Sequence, residues 1–312
     1  MEMRGNKMNK IVIIGCGNVG MSYAYALVNQ KVNVNELVLI DINKNRVEGE
    51  VMDLNHTLPY SPNAMTIRNG DYSDCKNANI VMISAGASQE VGETRIDLIN
   101  KNDVIFKNII DKIMETNFNG IYLVATNPVD AMSYITYKHS KIKPSKVIGT
   151  GTSLDTARLR YILSKKYNIS PKNVHAYVMG EHGDSEFIAW STASIGTTYI
   201  ANSLDINEKE KIAIEVRDSA YEIINKKGNT SYGIGGCLVR ITNAILNDEN
   251  AIITVSSYDD KNDVYISSPC VVNKDGIRER LQINLLKEEQ ELLNKSVKVI
   301  KDTINKSIYG GK

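Results

Sequence analysis

Cysteine is scarce in this 312-residue chain: Cys16, Cys75, Cys237 and Cys270 stand far apart, with no CxxC pair. That spacing excludes a disulfide framework and a cysteine-clipped metal site, so reduced thiols in a cytoplasmic setting are expected. Net charge is equally scarce. Lys+Arg 37 against Asp+Glu 36 leaves +1, which excludes a nucleic-acid-coating surface and an acidic disordered chain. A membrane-spanning apolar run is also lacking. Ile11 to Gln30 is 20 residues without a charge, but three glycines, two asparagines, a serine and a glutamine interrupt it, and its β-branched start stops at a turn signal. Phe187 to Leu204 is uncharged too, yet full of Ser and Thr. The opening MEMRGNKMNK has no apolar core of a signal peptide, and no internal repeat or low-complexity linker stands out. What is present, 42% hydrophobic and 23% charged residues, suits a soluble globule of one large or two medium domains at roughly 100 to 200 residues each.

The first half alternates short apolar runs with helix-length segments. Strands are expected at Ile11 to Gly15, Glu36 to Asp41, Asn79 to Ser84, Ile121 to Thr126 and Lys146 to Gly149. Helices are expected at Val19 to Asn29, Lys44 to His56, Arg95 to Thr116 and Pro128 to Ser140. Near-continuous apolar strands alternating with helices predict a parallel sheet covered on both faces, a Rossmann-type doubly wound α/β fold. After Gly151 the rhythm changes to a helix from Ser153 to Tyr167, irregular strands around His175 to Met179, a long helix near Ile206 to Lys227 and a β-rich stretch from Ala251 to Val272. The expectation is a dinucleotide-binding domain over 8–149 and a mixed α+β substrate domain over 150–312. A last helix from Lys287 to about Lys306 puts Leu293, Val297, Ile300 and Ile304 on one packing stripe.

Gly15-Cys-Gly17-Asn-Val19-Gly20 is a GxGxxG turn between a strand and a helix. Pyrophosphate chemistry requires that pattern: a tight turn, a backbone bare of side chain where the phosphates approach, and a helix N-terminus facing the anion. Asp41 follows 21 residues beyond Gly20 at the end of the next strand, where a carboxylate accepts the ribose 2′-hydroxyl and repels a 2′-phosphate. NAD is therefore expected over NADP, with Gly15, Gly17, Val19, Gly20 and Asp41 as its contacts.

Gly180-Glu-His182-Gly-Asp-Ser185 sets a histidine on a glycine-flanked loop after a strand-like run. In Gly151-Thr-Ser-Leu-Asp155-Thr-Ala-Arg158-Leu-Arg160, Asp155 and Arg158 are three apart and share a helix face, while Arg160 points to roughly the opposite side. As an intrahelical ion pair alone, Asp155 and Arg158 would be worth only about 0.3 to 0.5 kcal/mol.

Six segments in this order, LVLIDINKNRVEGEVMDLNH, GASQEVGETR, ATNPVD, GTSLDTARLR, GEHGDS and KKGNTSYGIG, resemble the bacterial L-lactate dehydrogenases of the lactate/malate dehydrogenase family over nearly the whole chain. The resemblance implies NAD-dependent reduction of a 2-oxo acid in fermentative glycolysis. It makes His182 the acid/base that protonates the carbonyl oxygen as hydride arrives, a task suited to a group titrating near neutrality, and Asp155 the carboxylate that fixes its tautomer. It makes Arg158 the clamp on the substrate carboxylate, using the two parallel hydrogen bonds that lysine lacks. Residues 86–95 become a mobile lid that brings Arg95 to the reacting carbonyl. The same resemblance implies Asn127 near nicotinamide and substrate oxygen, Thr230 in the substrate pocket and Ile234 in the nicotinamide pocket. No metal is expected.

Gln89 is the discriminating position within the family resemblance. Malate dehydrogenases of similar sequence carry arginine there for the second carboxylate of oxaloacetate, which a neutral Gln89 would leave unpaired at high cost. Pyruvate and L-lactate are the expected pair, with malate or 2-hydroxyisocaproate as alternatives. Arg160 and His175 match an anion site between subunits that takes fructose 1,6-bisphosphate in many bacterial relatives, so allosteric activation and a homotetramer are implied. Leu159 stands where phenylalanine is usual, and the long N-terminal arm of vertebrate relatives is not expected. Two other readings are an NAD-dependent glycosidase, which needs a Cys/His-held metal, and a non-catalytic NAD-binding protein.

Overall fold

In the computed structural model, residues 8–87 and 95–306 are described. The first strand, β1 (Lys10–Ile14), shows why the fold is layered: Ile11 and Ile13 enter one core while Val12 and Ile14 enter another. A strand buried on both faces reads as an unbroken apolar run because helices cover each side. The chain continues through α1 (Asn18–Asn29), β2 (Glu36–Ile40), α2 (Lys44–Thr57), β3 (Thr66–Asn69), β4 (Ile80–Ile83), α3 (Arg95–Met114), β5 (Ile121–Val124), α4 (Val129–Ser140) and β6 (Val147–Gly149). Strands β1 to β6 pair in parallel in the order β6-β5-β4-β1-β2-β3. That is the doubly wound α/β arrangement, with its ligand crevice at the carboxyl ends of the strands.

The second half adds α5 (Ser153–Tyr167), five two-residue strands, β7 (Val174–His175), β8 (Val178–Met179), β9 (Phe187–Ile188), β10 (Ser194–Ile195) and β11 (Thr198–Tyr199), then α6 (Ile206–Lys227) and α7 (Tyr232–Leu246). It closes with β12 (Ala251–Asp259), β13 (Val264–Asn273), β14 (Gly276–Arg280) and α8 (Lys287–Ile304). The last three strands run antiparallel and join β6, giving one nine-stranded sheet. The β-rich stretch of the second half therefore extends the first sheet.

Beyond the sequence expectation lie β3, α7, the short strands β9 to β11 and β14. β3 is an edge strand whose four residues, TIRN, bury only Ile67, so it carries almost no apolar signal. α7 is hidden by three glycines in YGIGGC. Its reason is packing: a Cβ on Gly235 would come within 2.7 Å of the Ser22 carbonyl oxygen on α1, and the buried Tyr23 and Thr242 hydroxyls meet across the same contact at 2.6 Å. On α8, Val297, Ile300 and Ile304 are buried and Leu293 packs beside them, as the stripe predicts.

Candidate active site

The glycine turn shapes the first wall. Gly15 has φ +103° and a Cβ there would sit 2.4 Å from the Ala85 nitrogen, so no other residue fits between β1 and β4. A Cβ on Gly20 would lie 2.0 Å from the Gly15 oxygen, whereas one on Gly17 would meet nothing of the protein within 4 Å. The space beside Gly17 is therefore open to an incoming group. α1 starts there with no side-chain cap and no acid in its first turn, so its N-terminal N–H groups and positive dipole end suit a phosphate. Asp41 closes the turn: Oδ2 accepts the Cys16 N–H at 2.7 Å and Oδ1 the Asn43 N–H at 2.9 Å. These residues fit NAD.

The second wall comes from the start of α5 and the loop after β8. The His182 Nδ1 lies 2.7 Å from Asp155 Oδ2, and Arg158 Nη1 donates to Asp155 Oδ1 at 2.7 Å. Asp155 is 2% exposed. Burial raises its proton affinity, but the His182 and Arg158 charges and hydrogen bonds hold its carboxyl below the ordinary value. Burial alone would lower the His182 value; the Asp155 charge and hydrogen bond reverse that and raise it to about 9. With Nδ1 facing Asp155, the Nε2 side of the ring is the one left for chemistry.

The loop is held in place by backbone. Gly180 and Ser267 exchange N–H···O bonds of 3.1 and 3.0 Å, which staples the turn to β13. Gly180 has φ +96° and its missing Cβ would lie 2.5 Å from Ser296 Oγ on α8. The His182 N–H donates to Asp130 Oδ2 at 2.8 Å, and Ser256 Oγ donates to Asp130 Oδ1 at 2.5 Å. Burial pushes Asp130 up to about 6.

A cavity of about 440 Å³ joins the walls. Of the residues singled out in the sequence, Val19, Asn127, Asp155, Arg158, His182, Thr230 and Ile234 all line it. Asn127 follows β5, where the buried Asn102 donates to its carbonyl at 3.4 Å and accepts the Ala87 N–H at 2.7 Å. Leu159, fully buried between Asp155 and Arg160, packs with Leu163, Ile212 and Val216. Gln89 lies outside the described residues, and Arg95 opens α3 with its side chain outside them.

Arg160 is not in the cavity. Its Nε donates to the Ala176 carbonyl at 3.3 Å and its guanidinium lies 5.3 Å from the Tyr177 ring centre. His175, one residue before Ala176, is exposed on β7. Arg160 and His175 thus belong to one neighbourhood outside the cavity that Arg158 lines.

Sequence reading passed over Asp130 and Glu186. Asp130 sat in the quoted ATNPVD segment, but nothing in its neighbours shows that it accepts an N–H 52 positions away. Glu186 ends the His182 turn and faces the cavity with Asp184 and Arg217. Asp155, His182 and Glu186 each bring one polar atom within 4.8 Å of the others. No cysteine joins them, and both Asp155 oxygens are engaged, so the group reads as a proton-handling cluster. Among the described residues, no helix is long and apolar enough to cross a membrane.

The chain matches known proteins over nearly its whole length. Residues 9–149 match the family model for the lactate/malate dehydrogenase NAD binding domain, and residues 152–309 that for the lactate/malate dehydrogenase alpha/beta C-terminal domain. The L-lactate dehydrogenase of Geobacillus sp. (strain WCH70) is 50% identical over 97% of this chain and 98% of its own. The solved structure of a lactate dehydrogenase from a Medee basin deep-sea metagenome superposes with TM-score 0.94 at 48% identity, covering 97% of this chain and 99% of that one. The ligand-bound minor L-lactate dehydrogenase of Enterococcus mundtii gives 0.93 at 39% identity, covering 96% and 98%.

Proposed function

The chain belongs to the lactate/malate dehydrogenase family and is an NAD-dependent oxidoreductase; from that premise we propose that it interconverts pyruvate and L-lactate. Residues 8–149 serve as the cofactor half and 150–312 as the substrate half, in a cytoplasmic homotetramer. The observation that carries the reading is the pair of 2.7 Å contacts from Asp155 to His182 and Arg158 at one cavity wall.

Bound nicotinamide supplies the hydride in one direction and accepts it in the other. Everything else falls to this chain. Arg158 presents a guanidinium, 11% exposed at its side chain, to the carboxylate of the 2-oxo acid. His182 gives its proton to the carbonyl oxygen through Nε2, and Asp155 stabilises the imidazolium beforehand. Arg95 polarises the carbonyl, and Gln89 refuses a second carboxylate. Asn127, Thr230 and Ile234 shape the space for substrate and ring. Asp41 selects the unphosphorylated ribose. Arg160 and His175 receive the phosphates of fructose 1,6-bisphosphate, which shifts the enzyme to tighter pyruvate binding.

NADH oxidation measured in parallel with pyruvate, oxaloacetate and 2-oxoisocaproate tests this. Pyruvate should have the highest kcat/KM, and fructose 1,6-bisphosphate should lower its KM. A preference for oxaloacetate would reject the assignment of substrate, and an unchanged saturation curve at acidic and neutral pH would reject activation. His182→Asn should keep NADH binding and lose about 10²- to 10⁴-fold in turnover.

A further inference from the structure

We infer that Glu186 is a positioning residue for the proton of His182: from the cavity side of the His182–Asp155 pair, its carboxylate offers the imidazolium a second counter-charge beside Asp155. This rests on His182 being the proton donor, as proposed above. The geometry comes first. Glu186 reaches within 4.8 Å of polar atoms of both His182 and Asp155 and lines the same cavity. Asp155 spends one oxygen on the histidine and the other on Arg158. Glu186 has no side-chain hydrogen-bond partner among the described residues, so its charge is the means by which it acts on its neighbours.

Around Glu186 and His182 stand three acids and two arginines. From α5 come Asp155 and Arg158, from α6 Arg217, from α4 Asp130, and from the loop itself Asp184. Cys237 on α7 is neutral, its thiol pushed up to about 12 by burial. Burial and then the Asp155 charge push Glu186 up to about 8, against the pull of His182, Arg158 and Arg217. His182, pulled down by burial but raised first by Asp155 and then by Glu186, stands at about 9. The two groups titrate as one linked pair, so an ionised Glu186 favours the proton on His182 and a charged His182 favours the anion of Glu186.

The test is Glu186→Gln beside Glu186→Asp, with kcat/KM for pyruvate followed from about pH 6 to pH 10 at saturating NADH. The ratio of the Gln variant to the wild type should fall about fivefold between pH 6 and pH 9 and approach tenfold by pH 10, the effect of lowering the histidine from about 9 by about one unit. The Asp variant, which keeps the charge, should follow the wild-type profile. A ratio that stays flat or rises with pH overturns the inference, as does an Asp variant that behaves like Gln. If the Gln variant loses NADH binding, Glu186→Ser is read in the same way. A wild-type enzyme inactive on pyruvate would instead sink the proposed function.

Discussion

Asp155 is the residue on which the others depend. It is buried, and it touches both a cation and the imidazole. Replacing it by asparagine leaves Arg158 and His182 without their counter-charge, and removing one partner of a buried pair costs about 3 to 5 kcal/mol. The pH dependence has a definite sign. His182 is raised from 6.5 to about 9, so its stabilising effect is complete below 6.5 and is lost as pH climbs through 9. Asp155 is lowered from 3.8, so its effect is present above that value and is lost as pH falls through the lowered one. The stability gap between wild type and Asp155→Asn, measured by urea unfolding, should therefore be widest from about pH 4 to 6.5 and narrow toward pH 9. A gap that grows above pH 7 would contradict the pairing. Asp155, Arg158 and His182 could be singled out in sequence by a shared helix turn and a glycine-flanked turn, but what joined them was the family resemblance, since the spacing alone reads as a weak ion pair. Asp130 and Glu186 could not, because a carboxylate declares its partner only once distant segments meet.

At the scale of elements, strands β1, β2, β4 and β5 were readable because both their faces are buried, which leaves an apolar run with no polar alternation. β3 and α7 were not, since one is an edge and the other uses glycine for close packing. α8 was predicted as a packing helix, and its packing reaches the site. Buried Ser296 donates to the Ser185 carbonyl and lies 3.1 Å from Ser185 Oγ, while Ser185 donates to the buried Glu181 at 2.5 Å. Seven residues earlier on the same helix, Glu289 accepts the Ser191 N–H at 2.9 Å and its hydroxyl at 2.5 Å. One helix thus grips both ends of the segment that begins with the His182 turn. Ser296→Ala leaves a buried carbonyl unsatisfied, a loss of about 1 to 3 kcal/mol, and lets the turn drift. Thermal unfolding should show the loss of stability. Pyruvate kcat should drop severalfold with NADH affinity retained, and an equal loss of both would mean that α8 supports the fold without orienting the turn.

For the whole molecule, the rhythm of the sequence changes near residue 150, where parallel βα units give way to antiparallel pairing. The continuous nine-stranded sheet was not legible, because nothing local says that β12 will pair with β6. The same limit applies to assembly, where the structure supplies an argument that composition lacked. α6 is a 22-residue helix that buries only Ile212 and Val216. Ile214, Tyr221 and Ile224 remain 43%, 60% and 42% exposed along it, a stripe at i, i+7 and i+10 that faces away from its own core. Tyr221 and Ile224 also line the cavity, so a neighbouring subunit laid on α6 would shut one side of the site. Such an apolar face on an isolated chain calls for cover, and the proposed homotetramer would supply it from a second copy of the chain. Light scattering should give about 139 kDa, four chains of 34.7 kDa. Ile214→Glu should shift that mass toward smaller species and raise the pyruvate KM with it. A wild-type mass of one chain, or a dissociated variant with unaltered KM, would separate assembly from the site.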